Sequence, residues 1–205
     1  MSLYSRYVLP PMVHLACSAK PTMRQREKVV PLAEGRTLEI GIGTGLNLPY
    51  YQKDRVTRLW GLDPSPEMRT RAERAARAVP IEVELIDLAG DEIPLERDSV
   101  DTVVSTFTIC TIPETEPALR EMERVLKPGG SLIFCEHGSA PDVEVRRWQD
   151  RLNPIWRRMS GGCNLNRPIP GLIERGGFRI RKIEESYIPG WRFASFNYWG
   201  VATHR

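Results

Sequence analysis

The sequence lacks any long apolar run and any strong excess of charge. No stretch approaches the roughly 20 consecutive apolar residues that a membrane-spanning helix needs. The formal net charge is +3 and the pI is near 8.7, well short of the basic excess of a dedicated nucleic-acid binder. We therefore expect neither an integral membrane protein nor a protein that binds nucleic acid through charge.

The sequence also lacks the cysteine and histidine spacings that mark metal sites. Its cysteines include no C-x-x-C pair, and its three histidines form no cluster with acidic residues along the chain. We therefore expect no metal site, and reduced thiols that pack separately in a cytoplasmic protein. The four cysteines are Cys17, Cys110, Cys135 and Cys163.

The N-terminal segment has no pattern typical of a secretory signal. Residues 7–17 are fairly apolar, but Pro10 and Pro11 interrupt them and no small-residue cleavage site follows a long apolar core. A short helix that packs on the domain is the favoured interpretation. Contact of this helix with a membrane surface is the alternative.

Strand-like and helix-like segments alternate along the chain, without an internal repeat or a linker. A length of 205 residues predicts one domain. The alternation predicts an α/β fold in which helices cover both faces of a mostly parallel sheet, with an antiparallel hairpin at one edge. Strands are expected at 37–40, 58–62, 81–86, 99–106, 131–136, 178–187 and 193–203. Helices are expected at 46–52, 64–78, 114–126 and 142–159, the last broken around Asn153 and Pro154.

The stretch TLEIGIGTG, from Thr37 to Gly45, resembles a nucleotide-binding loop but departs from the dinucleotide fingerprint. That fingerprint is G-x-G-x-x-G, and here the third glycine falls one position early, at Gly45. Glu39 would repel a pyrophosphate and would stabilise a cation. S-adenosylmethionine carries a sulfonium and an ammonium, and Asp63, at the end of the next strand, suits a ribose diol. The pattern therefore favours S-adenosylmethionine over a dinucleotide.

Four segments together resemble the class I S-adenosylmethionine-dependent methyltransferases. They are LEIGIGTG at 38–45, GLDPSPEM at 61–68, SVDTVVSTF at 99–107 and RVLKPGGSLIFCEH at 124–137. The resemblance implies a doubly wound, Rossmann-like sheet of seven strands and S-adenosylmethionine as the cofactor. It also implies a single domain with a helical cap over the site at 1–33, a cofactor-binding core at 36–137, and substrate-side helices with the terminal hairpin at 138–205.

The resemblance also implies a set of residues that bind the cofactor. In the family the first motif approaches the methionine and ribose parts, an acid holds the ribose diol, and the residues after that acid lie beside the adenine. The usual acid of the adenine loop is replaced by Ala89, so that loop matches less well. The implied residues are Glu39, Gly41, Gly43, Gly45, Asn47, Asp63, Pro64, Ser65, Gly90, Asp91 and Thr106.

The second half of the chain is similar to methyltransferase-like thiol S-methyltransferases and to bacterial phospholipid-type methyltransferases. The segments that carry this similarity are 136–137, 153–156 and 161–167. The leading hypothesis is methylation of a small, fairly apolar thiol. The alternatives are a phospholipid or quinone-type methyltransferase at the membrane surface, and a cofactor-binding protein without catalysis.

His137, at the end of the fifth expected strand, is the candidate catalytic residue. It would act as a base or orienting group for an acceptor proton, and a histidine that is merely hydrogen-bonded beside the site is the alternative. His14 and His204 lie toward the termini. Methyltransferases that act on exocyclic amines of bases carry an Asn/Asp-Pro-Pro-aromatic motif after the fourth strand, where this chain has STFT at 105–108. We therefore expect a small-molecule acceptor and no nucleic-acid partner, and the oligomeric state stays open.

Five arginines and two tryptophans alternate between 146 and 158. A solvated helix face with the tryptophans packed inward is the favoured interpretation. The alternative is a surface that meets an anionic lipid surface or an acidic substrate.

Overall fold

Seven strands form a single sheet in the part of the chain that the computed structural model describes, residues 7–88 and 92–205. The strands are β1 (Gly35–Ile40), β2 (Val56–Leu62), β3 (Val83–Ile86), β4 (Val100–Thr106), β5 (Leu126–His137), β6 (Phe178–Tyr187) and β7 (Phe196–His204). Their order is β3-β2-β1-β4-β5-β7-β6. The first five strands are parallel, and β7 is antiparallel to both β5 and β6. The predicted α/β fold, with its antiparallel hairpin at one edge, is confirmed.

Six α-helices are found in the same described residues, and most of them connect parallel strands. They are α1 (Leu9–Cys17), α2 (Lys20–Val29), α3 (Pro66–Ala76), α4 (Thr115–Val125), α5 (Val143–Met159) and α6 (Ile169–Arg175). No helix of residues 7–88 and 92–205 combines the length and the apolar character needed to cross a membrane.

Two hydrophobic cores, one on each face of the sheet, explain the continuous apolar runs of the central strands. Val103 of β4 belongs to the core that contains Leu119 and Met122 of α4. Its neighbour Val104 belongs to the core that contains Ala72 of α3. Since successive side chains of a strand point to opposite faces, both faces of β4 must be apolar.

Helix α2 lies within the helical cap that the resemblance implies for residues 1–33, but its bounds were not predicted, because its inward face is polar. Its buried residues are Gln25, Arg26 and Val29. A helix is usually recognised from an apolar stripe that repeats every 3.6 residues. Because Gln25 and Arg26 lie on the buried face of α2, the sequence shows no such stripe there. Helix α6 also escaped the prediction, since it has only seven residues. The helix expected at 46–52 is reduced to a 3₁₀ turn at Leu48–Tyr50.

The predicted break in the helix at 142–159 is wrong. Helix α5 runs without interruption from Val143 to Met159 with Pro154 inside it. A proline removes one backbone N–H and crowds the carbonyl four residues earlier, but the hydrogen bonds on either side can carry the helix through. The two tryptophans of this segment differ in exposure. Trp156 is half-buried, as expected for a tryptophan packed inward, whereas Trp148 is 55% exposed, as expected for a contact surface.

Candidate active site

A cavity of about 640 Å³ lies beyond the carboxyl ends of β1, β2 and β4. Ligands of open α/β sheets bind at this edge, where the strand order reverses between β1 and β4. One wall consists of the loop after β1 and the first turn of α3. Another wall is formed by α1, with apolar contributions from Leu9, Pro10 and Val13. The cavity therefore joins the glycine-rich loop to an apolar helix.

Asp63 connects two elements at the cavity wall. Its Oδ2 accepts a hydrogen bond from the backbone N–H of Gly43 at 2.9 Å, and its Oδ1 accepts one from Ser65 N at 2.9 Å. The side chain is largely buried, and burial raises its pKa while these two N–H donors oppose the rise. Each carboxylate oxygen keeps a further lone pair that can accept a hydrogen bond from a hydroxyl group.

Two glycines of the loop after β1 serve different purposes. Gly43 has a φ of +58°, and an added Cβ would meet nothing closer than the Gly41 carbonyl at 3.8 Å. Gly45 has a φ of +80°, but an added Cβ would lie 2.8 Å from Leu48 Cδ1 and 3.0 Å from Ala75 Cβ. Gly43 thus leaves open space where a ligand can approach the backbone, whereas Gly45 lets the loop pack against α3.

A buried polar network lies between the cavity and β1. Asn47 Nδ2 donates to Glu39 Oε1 at 2.8 Å and to Thr106 Oγ1 at 2.9 Å, and Tyr51 Oη donates to Glu39 Oε2 at 2.8 Å. Arg26 Nη1 donates to Asn47 Oδ1 at 2.8 Å and to Thr106 Oγ1 at 2.6 Å. Helix α2 is thereby tied to the loop after β1 and to the end of β4.

The charge that the cavity presents to a ligand differs from the one that Glu39 alone would give. Glu39 is 1% exposed, and burial raises its pKa to about 7 against the opposing hydrogen bonds of Tyr51 and Asn47 and the charge of Arg26. Arg26 lines the cavity, whereas Glu39 is not among the described residues that do. The Nε of Arg26 is buried and has no hydrogen-bond partner in the described part of the chain. The cavity therefore presents a cation from α2 as well as the carboxylate of Asp63.

The structure brings together about half of the residues predicted to bind a cofactor. Glu39, Gly45, Asn47 and the predicted catalytic residue His137 are not among the described residues that line the cavity. Gly90 and Asp91 lie outside the described residues. The predicted residues that do line it are Gly41, Gly43, Asp63, Pro64, Ser65 and Thr106.

His14, which the sequence placed only near a terminus, lies in the cavity wall. Its Nδ1 is 2.7 Å from the Oγ1 of Thr44, so α1 contacts the glycine-rich loop directly. Arg26 and His14 are thus two site residues that the sequence did not identify. Both come from helices that precede β1, and no local motif indicates which of their side chains face the sheet.

His137 belongs to a second cluster, formed with two cysteines. Its Nε2 lies 2.7 Å from Cys163 Sγ, and Cys163 Sγ lies 3.8 Å from Cys110 Sγ. The hydrogen bond shared with Cys110 and the neighbouring His137 ring lower the pKa of Cys163 in spite of its burial. Desolvation lowers the pKa of His137, but Cys163 outweighs it and the pKa of the ring is raised. The expectation that the cysteines pack separately is therefore wrong for this pair.

Comparison with known proteins agrees with this geometry. A family model described as a methyltransferase domain matches residues 38–134. Thiol S-methyltransferase TMT1A of Homo sapiens is 33% identical over 170 residues, which cover 80% of this chain and 69% of that relative. Phosphatidylethanolamine N-methyltransferase of Cereibacter sphaeroides is 38% identical over 105 residues, which cover 50% of this chain and 51% of that relative.

A solved structure supports the same fold. A methyltransferase of Thermotoga maritima, dependent on S-adenosylmethionine, has a TM-score of 0.65 with this chain and 21% identity, with 98% of both chains covered. The cavity at the ends of β1, β2 and β4, the matched domain and the curated relatives all lead to one conclusion. The chain belongs to the S-adenosylmethionine-dependent methyltransferases.

Proposed function

We propose that this protein transfers the methyl group of S-adenosylmethionine to a small, fairly apolar thiol. The observation that carries the proposal is a cavity in which the glycine-rich loop and Asp63 face an apolar wall from α1. Such a cavity suits a polar cofactor at one end and an apolar acceptor at the other. The similarity to a thiol S-methyltransferase over 80% of the chain favours a thiol among apolar acceptors.

The residues of the cavity fit the chemical groups of S-adenosylmethionine. Asp63 would accept hydrogen bonds from the ribose hydroxyls, and Gly43 provides the open backbone beside it. Arg26, whose buried Nε has no partner among the described residues, would pair with the carboxylate of the methionine part. When bound, the cofactor supplies an electrophilic methyl group on a sulfonium.

Of the other residues predicted to bind the cofactor, three would support the loop and two would contact the adenine. Glu39 and Asn47 would hold Arg26 and the loop in place through their hydrogen bonds. Gly45 would allow the loop to pack on α3. Gly90 and Asp91 remain predicted contacts of the adenine.

The acceptor side is arranged for alignment and exclusion of water. Methyl transfer is an in-line displacement, so holding the acceptor against the methyl group is the main requirement. Val13, Ile112 and Pro113 line the cavity and would cover an apolar thiol. A thiol with a pKa near 8.5 is a few per cent thiolate at neutral pH, so it needs only modest help from a base. The predicted base is His137, and the position of His14 in the cavity wall makes it a competing candidate.

A transfer assay with isotopically labelled methyl donor tests the acceptor. The protein is incubated with the donor and, in separate reactions, with alkyl thiols, sulfide, a lipid amine in vesicles, and a quinol. Labelled thioether is expected from the alkyl thiols, with S-adenosylhomocysteine formed in equal amount. Label that appears only in the lipid or quinol reaction would overturn the thiol proposal. No product with any acceptor would favour a protein that binds the cofactor without catalysis.

A second candidate function, methylation of a phospholipid at a membrane surface, is favoured by an exposed apolar face. Trp148 and Ile155 lie seven residues apart on one face of α5 and are 55% and 64% exposed. Leu15 of α1 is 73% exposed. Exposed arginines flank the α5 face, which suits anionic headgroups. The similarity to a phosphatidylethanolamine N-methyltransferase points the same way.

Vesicle sedimentation tests the second candidate. If the enzyme acts from the cytoplasm as a peripheral protein, it should sediment with anionic vesicles, and Trp148→Ser should weaken that binding. Retention of full vesicle binding by the Trp148→Ser and Leu15→Ser variants would contradict a role for this face.

A further inference from the structure

Three potential metal ligands from distant parts of the chain meet beside the active-site cavity. Cys110 follows β4, His137 ends β5, and Cys163 follows α5. One ligand atom from each of the three lies within 4.8 Å of the other two. The neighbours Thr111 and Gly162 line the cavity, so the cluster stands behind the cavity wall.

Backbone and side-chain hydrogen bonds fix the two cysteine loops relative to each other. Asn164 donates to the Cys110 carbonyl oxygen from its backbone N at 2.9 Å and from its Nδ2 at 3.0 Å. The buried carboxylate of Glu136 accepts hydrogen bonds from the backbone N–H groups of Ile109 at 3.1 Å and Cys110 at 3.3 Å. The two sulfurs are therefore held together by the fold and do not meet by chance on flexible loops.

The distance between the sulfurs matches a shared metal ion better than a disulfide bond. Zinc–sulfur bonds of about 2.3 Å in a tetrahedron place two sulfurs about 3.8 Å apart. The sulfurs of Cys110 and Cys163 are 3.8 Å apart. A disulfide needs an S–S distance of about 2.0 Å, so its formation would require the fixed loops to close by about 1.8 Å. The His137 ring, 2.7 Å from Cys163 Sγ, would have to move outward by less than about 1 Å to reach a tetrahedral position.

We propose that Cys110, His137 and Cys163 form a zinc site with three protein ligands. Two thiolates and an imidazole are a donor set that zinc prefers, and magnesium and calcium, which take oxygen ligands, are not expected there. Two thiolates balance the charge of Zn²⁺. Three protein ligands leave a fourth position for water or another small ligand.

Zinc at this site would join the loop after β4, the end of β5 and the loop after α5. Two of these segments, through Thr111 and Gly162, also form part of the cavity wall. Zinc binding would therefore stabilise the part of the cavity wall that Thr111 and Gly162 form. The zinc site is independent of the identity of the methyl acceptor.

Zinc content and affinity test the proposal directly. The full chain is purified under reducing conditions, stripped with a chelator, loaded with zinc chloride and dialysed before its metal content is measured. One zinc per chain is expected for the wild type, and a raised melting temperature on loading. Loss of a residue that only hydrogen-bonds to a metal ligand typically weakens metal binding by roughly 10–100-fold. Cys163→Ser and Cys110→Ser each remove a ligand itself, so each should weaken zinc binding by more than that. Cys17→Ser, a thiol outside the cluster, is the matched control and should keep one zinc.

Cobalt substitution provides a readout that does not depend on the folding of variants. Cobalt chloride added to the stripped wild type should give thiolate-to-cobalt charge-transfer absorption, and zinc should abolish it. A cobalt spectrum without thiolate ligation would overturn the proposal. So would zinc content that is unchanged in the Cys110→Ser/Cys163→Ser double variant, or a zinc-free wild type after loading. A Cys110–Cys163 disulfide that forms in preference to zinc binding under mild reduction would also overturn it.

Discussion

The side chain of Asp63 connects the glycine-rich loop to α3 and is a hydrogen-bond acceptor in the cavity wall. It accepts backbone hydrogen bonds from the glycine-rich loop and from the first turn of α3, and it lines the cavity. The sequence identified it from its place at the end of β2, because a carboxylate at that strand end meets ribose hydroxyls in open α/β sheets. In the structure Asp63 follows β2 and lines the cavity, and its contact with the ribose stays a prediction.

Asp63→Asn should weaken binding of S-adenosylmethionine by about 1.5–3 kcal/mol. The amide keeps only one acceptor oxygen, and its NH₂ group would face the N–H group of either Gly43 or Ser65. Isothermal titration calorimetry measures the affinity, and circular dichroism checks that the variant is folded. Asp54→Asn, at an exposed position outside the cavity, is the control and should bind as tightly as the wild type. Equal affinity of the Asp63→Asn variant and the wild type would contradict the ribose contact.

Glu39 should make stability fall as pH rises. Its pKa is near 4.5 in the unfolded chain and is raised to about 7 in the folded protein, chiefly by burial. The stabilising effect of its proton is complete below the unfolded pKa and is lost as pH rises through the folded one, a loss on the order of 3 kcal/mol.

Urea unfolding from about pH 4.5 to about pH 8 measures this effect as a difference between the wild type and Glu39→Gln. The wild type should lose stability relative to the variant across that window. Glu34→Gln, at an exposed carboxylate, is the control and should follow the wild type. A constant difference between wild type and Glu39→Gln at all pH values would refute the shifted titration.

The two candidate base residues predict different outcomes on substitution. If His14 handles the acceptor proton from the cavity wall, His14→Gln should lower kcat by up to about 30-fold at neutral pH, because only a few per cent of a free thiol is thiolate there, and should change the pH–rate profile. His137→Gln should then retain most of its kcat at high thiol concentration. Steady-state kinetics of both variants as a function of pH distinguishes them. A loss confined to His137→Gln, in protein that keeps the zinc content of the wild type, would return the catalytic role to His137.

Residues at the ends of strands could be predicted as site residues, whereas residues positioned by the packing of helices and loops could not. Gly43 and Asp63 could be predicted from the ends of the strands and the spacing between them. Arg26 and His14 enter the cavity from helices whose orientation depends on how α1 and α2 pack, and that packing has no local signal. The meeting of Cys110, His137 and Cys163 requires three loops to converge, which no spacing along the chain could indicate.

At the scale of elements, α1 closes the apolar side of the cavity. Its contact with the glycine-rich loop is made by His14 and Thr44, and a Cβ on Gly161 would come within 2.9 Å of Leu9. The helix is thus packed against both the cofactor loop and the turn after α5. We propose that it acts as the cap that the resemblance implies for residues 1–33.

Replacing an inward residue of α1 should affect the acceptor more than the cofactor. Val13→Ser removes apolar surface from the cavity wall and should raise KM for an alkyl thiol about fivefold, equivalent to about 1 kcal/mol, with little change in cofactor affinity. Leu15→Ser, on the same helix but 73% exposed, is the matched control. Kinetics with a soluble thiol check this. A similar rise in KM for both variants, or for neither, would contradict the cap role.

Elements with strong apolar periodicity were predictable, and those without it were not. The central strands β1 and β4 and helix α4 appear where the sequence placed them, since apolar residues such as Leu38, Val103 and Met122 are fully buried in them. Helix α2 escaped because it buries Gln25 and Arg26. The predicted break at Pro154 failed because proline lowers the stability of a helix without always ending it.

At the scale of the whole molecule, the sheet order explains why the site could be located from the sequence. The order reverses between β1 and β4, and the loops that follow these strands separate there to open a cavity. The fold and the methyl donor follow from this arrangement and from the family. In the proposed function the acceptor would depend on the side chains of α1, α5 and the loop after β4, since function belongs to the site and not to the fold.

The measurement that tests the central claim most directly is calorimetric titration of the wild-type protein with S-adenosylmethionine and, separately, with NAD. The glycine-rich loop and Asp63 are predicted to bind one S-adenosylmethionine per chain, with no heat of binding for NAD at the same concentrations. Tighter binding of NAD, or no binding of S-adenosylmethionine, would contradict the assignment of this cavity to a methyl donor.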